Sequence, residues 1–330
     1  MTGAGEWRRI LDTLRDGRRF LLLLHVKPDG DSIGSSLALG RALQKLGKEA
    51  VLVCPDELPE SLRFLPGSDS FVRPEAVSGP FDAAVFLDCG DLERAGPARP
   101  LADLATVRIN IDHHLSNARF GDLNWIEADA AAVGEITYRL IRELGVALDR
   151  DMAYALYASL VTDTGSFAYQ NTTPATHRIA AELLELGVRP QVVAREVWEN
   201  RPEPALRLLG RALENLVVDP GGRLAWTRLG QEDFQRVGAG PQHAEGVVGY
   251  PRSLRGVEVA VAFIEAEPGV WRVSLRSNER VDVSRVAARF GGGGHARAAG
   301  ATLSGRFEEV APPLLDACRA ALDEDGRAPA

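Results

Sequence analysis

Cysteine, lysine and aromatic residues are all scarce in this sequence. Its three cysteines are widely spaced and form no CxxC pair, so we expect reduced thiols, with neither a disulfide framework nor a zinc finger. Only three lysines occur, which leaves arginine as the main side chain that can hold phosphate oxygens. Aromatic residues make up 6% of the chain, and the formal net charge is −8. Both values argue against a basic, aromatic-lined channel that would grip long nucleic acid.

Long hydrophobic runs are also missing. The most apolar early run, residues 20–26, is interrupted by His25 and is far too short to span a bilayer. The charged segment 1–19 lacks the apolar core of a signal peptide. We therefore expect a cytoplasmic protein that does not bind a membrane.

Short apolar segments alternate with helical patterns in the first half of the chain. The predicted strands are residues 20–24, 50–53, 83–87 and 107–111, and the main predicted helices are residues 33–46, 130–144 and 152–161. This alternation is typical of an α/β fold with a parallel sheet.

The pattern changes in the second half of the 330-residue chain. From residue 216 the sequence shows short β-like runs, and a last helix is predicted at 307–322. At about 150 residues per domain, this length predicts two domains, or one large one. We expect an N-terminal parallel-sheet domain (1–190), a helical linker (191–215) and a smaller α/β C-terminal domain (216–330).

Imidazole and carboxylate side chains recur where predicted elements of the first domain end. They are His25, Asp29 and Asp31 on the loop after the first strand, Asp88, then Asp112, His113 and His114, and finally Asp163. Since ligands of parallel α/β sheets bind at the carboxyl ends of the strands, we expect these side chains to converge. Mixed imidazole and carboxylate ligands suit a pair of Mn²⁺ or similar ions. An aspartate can bridge two such ions, which activate a water and clamp a phosphoryl group.

Each of these residue types has a simpler interpretation when it occurs alone. A single aspartate at the end of an element is most often a helix cap or a turn residue, which is how we interpret Asp69, Asp122 and Asp149. A single histidine is most often a surface or core residue, as we expect for His177 and His243. Convergence of several strand ends favours the metal site.

A glycine-rich segment, residues 291–294, precedes His295 in the second domain. Its backbone N–H groups would suit an anion, although a flexible loop explains the same composition. Arg276 and Ser277 supply further donors shortly before it. The sequence has no GxxxxGK[ST] loop, no GxGxxG after a strand and no GxSxG elbow.

These motifs, in this order, resemble those of the DHH phosphoesterase superfamily, and the glycine-rich segment resembles the signature of its associated C-terminal domain. The resemblance covers nearly the whole chain, and its length and layout are most similar to the nanoRNase/pAp phosphatase subfamily. Members of that subfamily hydrolyse very short oligoribonucleotides and 3′-phosphoadenosine 5′-phosphate (pAp), and some cleave cyclic dinucleotides or their linear products.

The resemblance implies a two-metal phosphoesterase whose active site lies in the cleft between the domains. His25 and Asp29 would hold one Mn²⁺, Asp31, His113 and Asp163 would hold the other, and Asp88 would bridge them. Mg²⁺ or Co²⁺ are alternatives to Mn²⁺. His114 would lie near the scissile phosphate, so we predict His114 and Asp88 as catalytic residues. The remaining predicted substrate-binding residues are Arg276, Ser277, Gly292, Gly293, Gly294, His295 and Arg297.

Such a site would take a short oligonucleotide or a mononucleotide bisphosphate and would not grip long nucleic acid, and the protein could form a homodimer. Two alternative functions remain: a single-strand 5′→3′ exonuclease of the RecJ type, and a catalytically silent nucleotide sensor. The sequence leaves open the preferred substrate, the polarity of cleavage, the oligomeric state and the metal.

Overall fold

The computed structural model describes residues 3–325. The chain divides into two compact units, with the division between Asn200 and Arg201. A parallel sheet lies in the first unit and a second sheet lies in the other, so the predicted α/β class is confirmed. The domain limits at 190 and 216 stay a prediction. Within residues 3–325, no helix is both long enough and apolar enough to cross a bilayer.

The first unit contains a five-stranded sheet. Its strands are β1 (Arg19–Leu23), β2 (Glu49–Val53), β3 (Phe81–Leu87), β4 (Ala105–Asp112) and β5 (Leu123–Ile126). They are all parallel, in the order β2-β1-β3-β4-β5. Leu22 of β1, for example, pairs with Leu52 on one side and Val85 on the other. The central strands are continuous apolar runs, as expected for strands that are covered on both faces.

Residues 3–200 contain six α-helices besides shorter 3-10 and π-helical segments. They are α1 (Gly3–Asp16), α2 (Gly30–Lys45), α3 (Val133–Glu143), α4 (Arg150–Asp163), α5 (Pro174–Glu185) and α6 (Pro190–Ala194). Helices α2 and α4 pack very closely at Gly34, where a Cβ would lie 2.2 Å from the carbonyl oxygen of Ala155. This packing brings Asp31 on α2 to Ser159 on α4, four residues before Asp163.

The second unit contains a six-stranded mixed sheet. Its strands are β6 (Val217–Val218), β7 (Leu224–Leu229), β8 (Val259–Glu267), β9 (Val270–Ser277), β10 (Gly293–His295) and β11 (Ala298–Ser304). Its helices are α7 (Glu203–Glu214), α8 (Gln231–Val237), α9 (Gly249–Arg252), α10 (Val283–Ala288) and α11 (Phe307–Asp325). The order is β10-β11-β9-β8-β7-β6, and only the β7–β8 pair is parallel.

Strand β8 is buried on both faces. Its Phe263 belongs to the core cluster that contains Leu314 and Cys318 of α11. Its Ala262 belongs to a separate cluster that contains Leu208 of α7. Strands β9 and β11 lie between β8 and the glycine-rich strand β10, which is at the edge of the sheet.

Candidate metal centre

The loop between β1 and α2 carries the first two predicted ligands. Lys27 has a φ of 54°, in the left-handed region, and its N–H donates to Asp56 Oδ2 at 2.6 Å. Asp29 caps α2, since its side chain accepts from the N–H of Ser32 at 3.0 Å. With both ends of the loop fixed, His25 Nε2 lies 3.8 Å from Asp29 Oδ2.

Asp31 lies in the first turn of α2, so the prediction that it belongs to the loop was wrong. The carboxylate is buried and accepts four hydrogen bonds. The donors are the N–H groups of Val133 (2.6 Å) and Gly134 (2.9 Å) and the hydroxyls of Ser35 (3.2 Å) and Ser159 (2.5 Å). The two N–H groups belong to the first turn of α3, whose positive end stabilises a buried carboxylate.

The two central strands contribute the next residues. Asp88 directly follows β3 with a φ of 60°, and its N–H donates to the carbonyl of Ile111 on β4. His113 directly follows β4, and its Nδ1 lies 3.0 Å from the carbonyl of Ala130. Because a carbonyl can only accept, Nδ1 carries the proton and Nε2 is the nitrogen available to bind a cation. His113 Nε2 lies 3.4 Å from Asp163 Oδ2, at the end of α4.

His114 is held by the buried Asp112. Its Nδ1 lies 2.7 Å from Asp112 Oδ1, and Asn117 donates to the other oxygen of that carboxylate at 2.5 Å. The carboxylate thus holds His114 through Nδ1. Asp112 itself is directed at His114 and Asn117, and no candidate metal group within residues 3–325 includes it.

Three overlapping groups of side chains meet in this centre, and in each group the candidate ligand atoms lie within 4.8 Å of one another. Two of the groups share no residue: one consists of His25, Asp29 and Asp88, the other of Asp31, His113 and Asp163. The third consists of Asp88, His113 and His114. Asp88 lies between the groups: its Oδ2 is 3.4 Å from His25 Nε2 and its Oδ1 is 3.7 Å from His113 Nε2. This arrangement could hold two divalent cations with Asp88 between them.

Two buried atoms support that interpretation. Among residues 3–325, His25 Nε2 and Asp88 Oδ1 find no hydrogen-bond partner. The Nδ1 of His25 lies 2.8 Å from the carbonyl of Val26 and 3.2 Å from the guanidinium of Arg94. The shorter contact needs a proton on Nδ1, so Nε2 is the ring nitrogen left to bind a cation. Buried polar atoms are normally satisfied, so an unpaired nitrogen and an unpaired carboxylate oxygen fit a bound cation.

The electrostatics of the cluster indicate the same chemistry. Burial opposes protonation of His25, but Asp29 and Asp88 outweigh it and raise its pKa to about 10. Burial and the charge of Asp88 raise the pKa of Asp31 to about 7. Burial and Asp31 also raise the pKa of Asp163 well above its usual range. Without a metal, these groups would therefore hold protons that a cation must displace.

The predicted phosphate-binding residues lie together in the second unit. Arg276 and Ser277 end β9, and Ser277 is buried, with its N–H donating to the carbonyl of Arg297 at 3.1 Å. Gly293, Gly294 and His295 form β10, and Gly292 immediately precedes it. The side chain of Arg297 donates to the carbonyl of Val281 at 2.8 Å, so one of its N–H groups braces the neighbouring turn.

The glycines of this segment are present for different structural reasons. A Cβ on Gly292 would lie 2.1 Å from the carbonyl oxygen of Gly300, and Gly294 has a φ of 139° with the carbonyl of Ala298 close by. The fold itself thus excludes side chains at these two positions. Gly293 has no atom within 4 Å of its Cβ position and no left-handed φ. No contact within the described chain explains glycine at 293.

The simpler interpretation of Asp149 is confirmed, because it caps α4 and accepts from the N–H of Met152 at 3.0 Å. Asp122 instead accepts from the N–H of Arg108, fourteen residues earlier, at 2.8 Å. His177 stacks on Phe167, with ring centroids 5.2 Å apart.

Sequence reasoning missed the residues that hold the candidate ligands. Ser35 is four residues after Asp31 on α2, a spacing that could have identified it. Ser159, Asn117 and Asn171 carry no comparable signal, because they reach their partners only through tertiary packing.

Histidine and aspartate residues clustered at the carboxyl ends of the strands of a parallel sheet could hold metal ions, as the site of a metal-dependent hydrolase does. Family models match the chain as "DHH family, N-terminal domain" over residues 19–160 and "DHHA1 domain" over residues 233–324. The chain belongs to the DHH phosphoesterase family and carries the DHHA1 domain, and it is a phosphoric ester hydrolase.

Curated relatives cover most of the chain. A protein of Thermus thermophilus named bifunctional oligoribonuclease and PAP phosphatase is 38% identical over 92% of this chain and 90% of its own length. A protein of the same name from Bacillus subtilis is 28% identical over 86% of this chain and 88% of its own length. The crystal structure of an exopolyphosphatase-related protein from Bacteroides fragilis has a TM-score of 0.89 at 27% identity, covering 97% of this chain and 96% of that one.

Proposed function

We propose that this protein is a Mn²⁺-dependent hydrolase of very short oligoribonucleotides and of pAp. The observation that carries the proposal is the position of Asp88, whose two carboxylate oxygens face different histidines, His25 and His113. The names of the curated relatives from Thermus and Bacillus support this substrate class. Cyclic dinucleotides are further candidate substrates.

In this proposal each metal position has its own set of residues. His25, Asp29 and Asp88 would hold one Mn²⁺, and Asp31, His113, Asp163 and Asp88 would hold the other. The nitrogen and oxygen donors also suit Co²⁺, and the carboxylates suit Mg²⁺. Bound divalent ions would supply a nucleophile from water at neutral pH and neutralise charge on the phosphoryl group.

His114 would act on the substrate itself. Asp112 fixes the ring through Nδ1, so the orientation of the imidazole is set before a substrate binds. We assign to His114 a contact with the scissile phosphate, where it would stabilise the charge that develops during displacement. His114 Nδ1 lies 3.4 Å from Asp88 Oδ1, so His114 is beside the proposed bridging residue.

The second unit would bind the far end of the substrate. The backbone of Gly292, Gly293 and Gly294, together with His295, would offer donors to a terminal phosphate. Open space at Gly293 supports this role, because a phosphate can approach a glycine backbone closely. Arg276, Ser277 and Arg297 complete the proposed binding set. A grip at one end limits the substrate to two or a few nucleotides.

The proposal is tested with purified protein on four substrates: an RNA dinucleotide, pAp, a cyclic dinucleotide, and an RNA of twenty residues. With Mn²⁺ we expect turnover of the dinucleotide and pAp, slower turnover with Mg²⁺, and little cleavage of the long strand. Asp88→Ala should be inactive on every substrate. Processive cleavage of the long strand would favour an exonuclease, and metal binding without any turnover would favour a sensor.

A cytoplasmic location and a homodimer belong to the same proposal. The three cysteines are buried and unpaired, which is compatible with a reducing compartment. Light scattering of the purified protein would determine the oligomeric state.

A further inference from the structure

The segment of residues 130–134 is buried and consists of the last three residues before α3 and the first two residues of that helix. It contains no catalytic side-chain chemistry, since it consists of three alanines, a valine and a glycine. Its backbone nevertheless contacts His113 and Asp31, two predicted ligands of the group that also contains Asp163. The carbonyl of Ala130 holds His113 Nδ1, and the N–H groups of Val133 and Gly134 hold both oxygens of Asp31.

Asn171 links this segment to the third member of that group. Its Nδ2 donates to the carbonyl of Ala131 at 2.8 Å and to the carbonyl of Asp163 at 3.1 Å. A flipped amide would put its oxygen against two carbonyl oxygens, so the orientation of the amide is determined. Asn171 Oδ1 is buried and has no hydrogen-bond partner among residues 3–325, which leaves the two donated bonds as the contribution of this amide.

The residues of the other metal group, His25, Asp29 and Asp88, make hydrogen bonds to other parts of the chain. Asp29 is held by Ser32, Asp88 is held through its own N–H by Ile111, and His25 Nδ1 lies against the carbonyl of Val26. A change in the 130–134 segment should therefore affect the two metal positions unequally.

We propose that Asn171 is a positioning residue for the Asp31, His113 and Asp163 group. It fixes the end of α4, and thus Asp163, against the same segment that orients His113 and Asp31. Loss of its two donated hydrogen bonds would release Asp163 from the other two residues, although Asn171 itself touches no ion. The inference rests on the proposed two-metal site and is independent of which substrate the enzyme takes.

Metal titration tests this role directly. Binding of Mn²⁺ to the metal-stripped protein is followed by the electron paramagnetic resonance of free Mn²⁺. We compare wild type with Asn171→Ala and with Asn171→Leu, which keeps most of the volume but removes the donor. Both variants should weaken one of two Mn²⁺ sites by about 10–100-fold, the range typical of residues that hold metal ligands, and leave the other unchanged.

Thr172→Val is the matched control. Thr172 is the next residue, and its buried hydroxyl has no hydrogen-bond partner in the described part of the chain, so both sites should be retained. Asp163→Asn provides the reference for loss of the affected site. In the double variant Asp163→Asn with Asn171→Leu, the remaining Mn²⁺ should bind as in the single variant Asp163→Asn.

Equal weakening of both sites, or two normal sites in Asn171→Leu, would overturn the positioning role. Loss of the native circular dichroism spectrum in both Asn171 variants would also overturn the positioning role, because Asn171 would then be required for the fold as a whole. Dinucleotide turnover by wild type tests the proposed function separately. No turnover, combined with two Mn²⁺ sites and selective weakening in Asn171→Leu, would contradict the substrate proposal and support this one.

Discussion

Asp88 Oδ2 lies 3.4 Å from His25 Nε2, and both side chains are buried. The opposite oxygen of Asp88 faces His113, so one carboxylate faces two imidazoles that belong to different metal groups. Within residues 3–325, His25 Nε2 and Asp88 Oδ1 make no hydrogen bond, and two such buried atoms fit ligands that await cations.

The first prediction concerns Asp88. Asp88→Asn keeps the shape of the side chain but replaces one oxygen by an amide that cannot bind a cation. Because both metal positions lose a ligand, we expect activity to fall by more than about 100-fold. That factor is the upper value for changing a residue that only orients a metal ligand. Steady-state assays with a dinucleotide measure the loss, and Mn²⁺ titration should show both sites weakened. Retention of two tight sites would contradict the bridging role.

The second prediction is that metal binding releases protons. The pKa values of His25 (about 10), His113 (about 9) and Asp31 (about 7) are raised in the metal-free protein, so these groups hold protons near neutral pH. A cation must displace them, and its affinity should rise with pH over this range. Calorimetric titration in two non-chelating buffers of different ionisation enthalpy counts the released protons. An affinity that does not change with pH would contradict the prediction.

The third prediction concerns stability without metal. The pKa of Asp163 is raised in the folded protein, so the unfolded chain loses this proton at lower pH than the folded chain. Ionisation of Asp163 therefore lowers stability as pH rises. In the presence of EDTA at alkaline pH, we expect Asp163→Asn to melt at a higher temperature than wild type, and the difference should vanish in acid. Excess Mn²⁺ should reverse the order, because only wild type gains full metal binding.

The fourth prediction compares two glycines in helices. Gly34→Ala would place a Cβ 2.2 Å from the carbonyl oxygen of Ala155 and force α2 away from α4. We expect a loss of about 1–3 kcal/mol in the free energy of unfolding, together with reduced Mn²⁺ affinity, because Asp31 moves with α2. Gly210→Ala in α7 is the control: its Cβ position is open, so stability should rise by about 0.5–1 kcal/mol. Denaturant unfolding measures both, and equal effects would contradict the packing argument.

The fifth prediction separates folding from substrate binding in the glycine-rich segment. Gly293→Ala should fold normally, since nothing within the described chain lies near its Cβ position, but the methyl group would obstruct a bound phosphate. We expect KM for a dinucleotide to rise by about tenfold, equivalent to one lost hydrogen bond, with little change in the melting temperature. Gly294→Ala should instead destabilise the protein, because of its φ of 139°. An unchanged KM in Gly293→Ala would remove this glycine from the binding site.

The sequence predicted the centre of the first unit well because parallel sheets bring strand ends to one edge. Asp88 and His113 follow neighbouring strands, so their proximity follows from the alternation of strands and helices alone. The start of α2 was placed three residues too late, because the Pro-Asp-Gly composition suggested a loop. The capping pair of Asp29 and Ser32 carried the correct signal.

The residues that hold the ligands could not be predicted in the same way. Asn171 reaches Ala131, forty residues earlier in the chain, only because α4 and its following turn pack beside α3. Ser159 reaches Asp31 across 128 residues for the same reason. A side-chain amide or hydroxyl is common in every surface loop and helix, so its type and position carry no information until the tertiary structure is known.

A crystal of the protein grown with Mn²⁺, measured at a wavelength where manganese scatters anomalously, tests the shared two-metal centre most directly. We expect two anomalous peaks about 3.5–4 Å apart, with one oxygen of Asp88 bound at each. The first peak should be surrounded by His25 and Asp29, and the second by Asp31, His113 and Asp163. A single peak, or two peaks with Asp88 bound to only one of them, would contradict the shared two-metal centre.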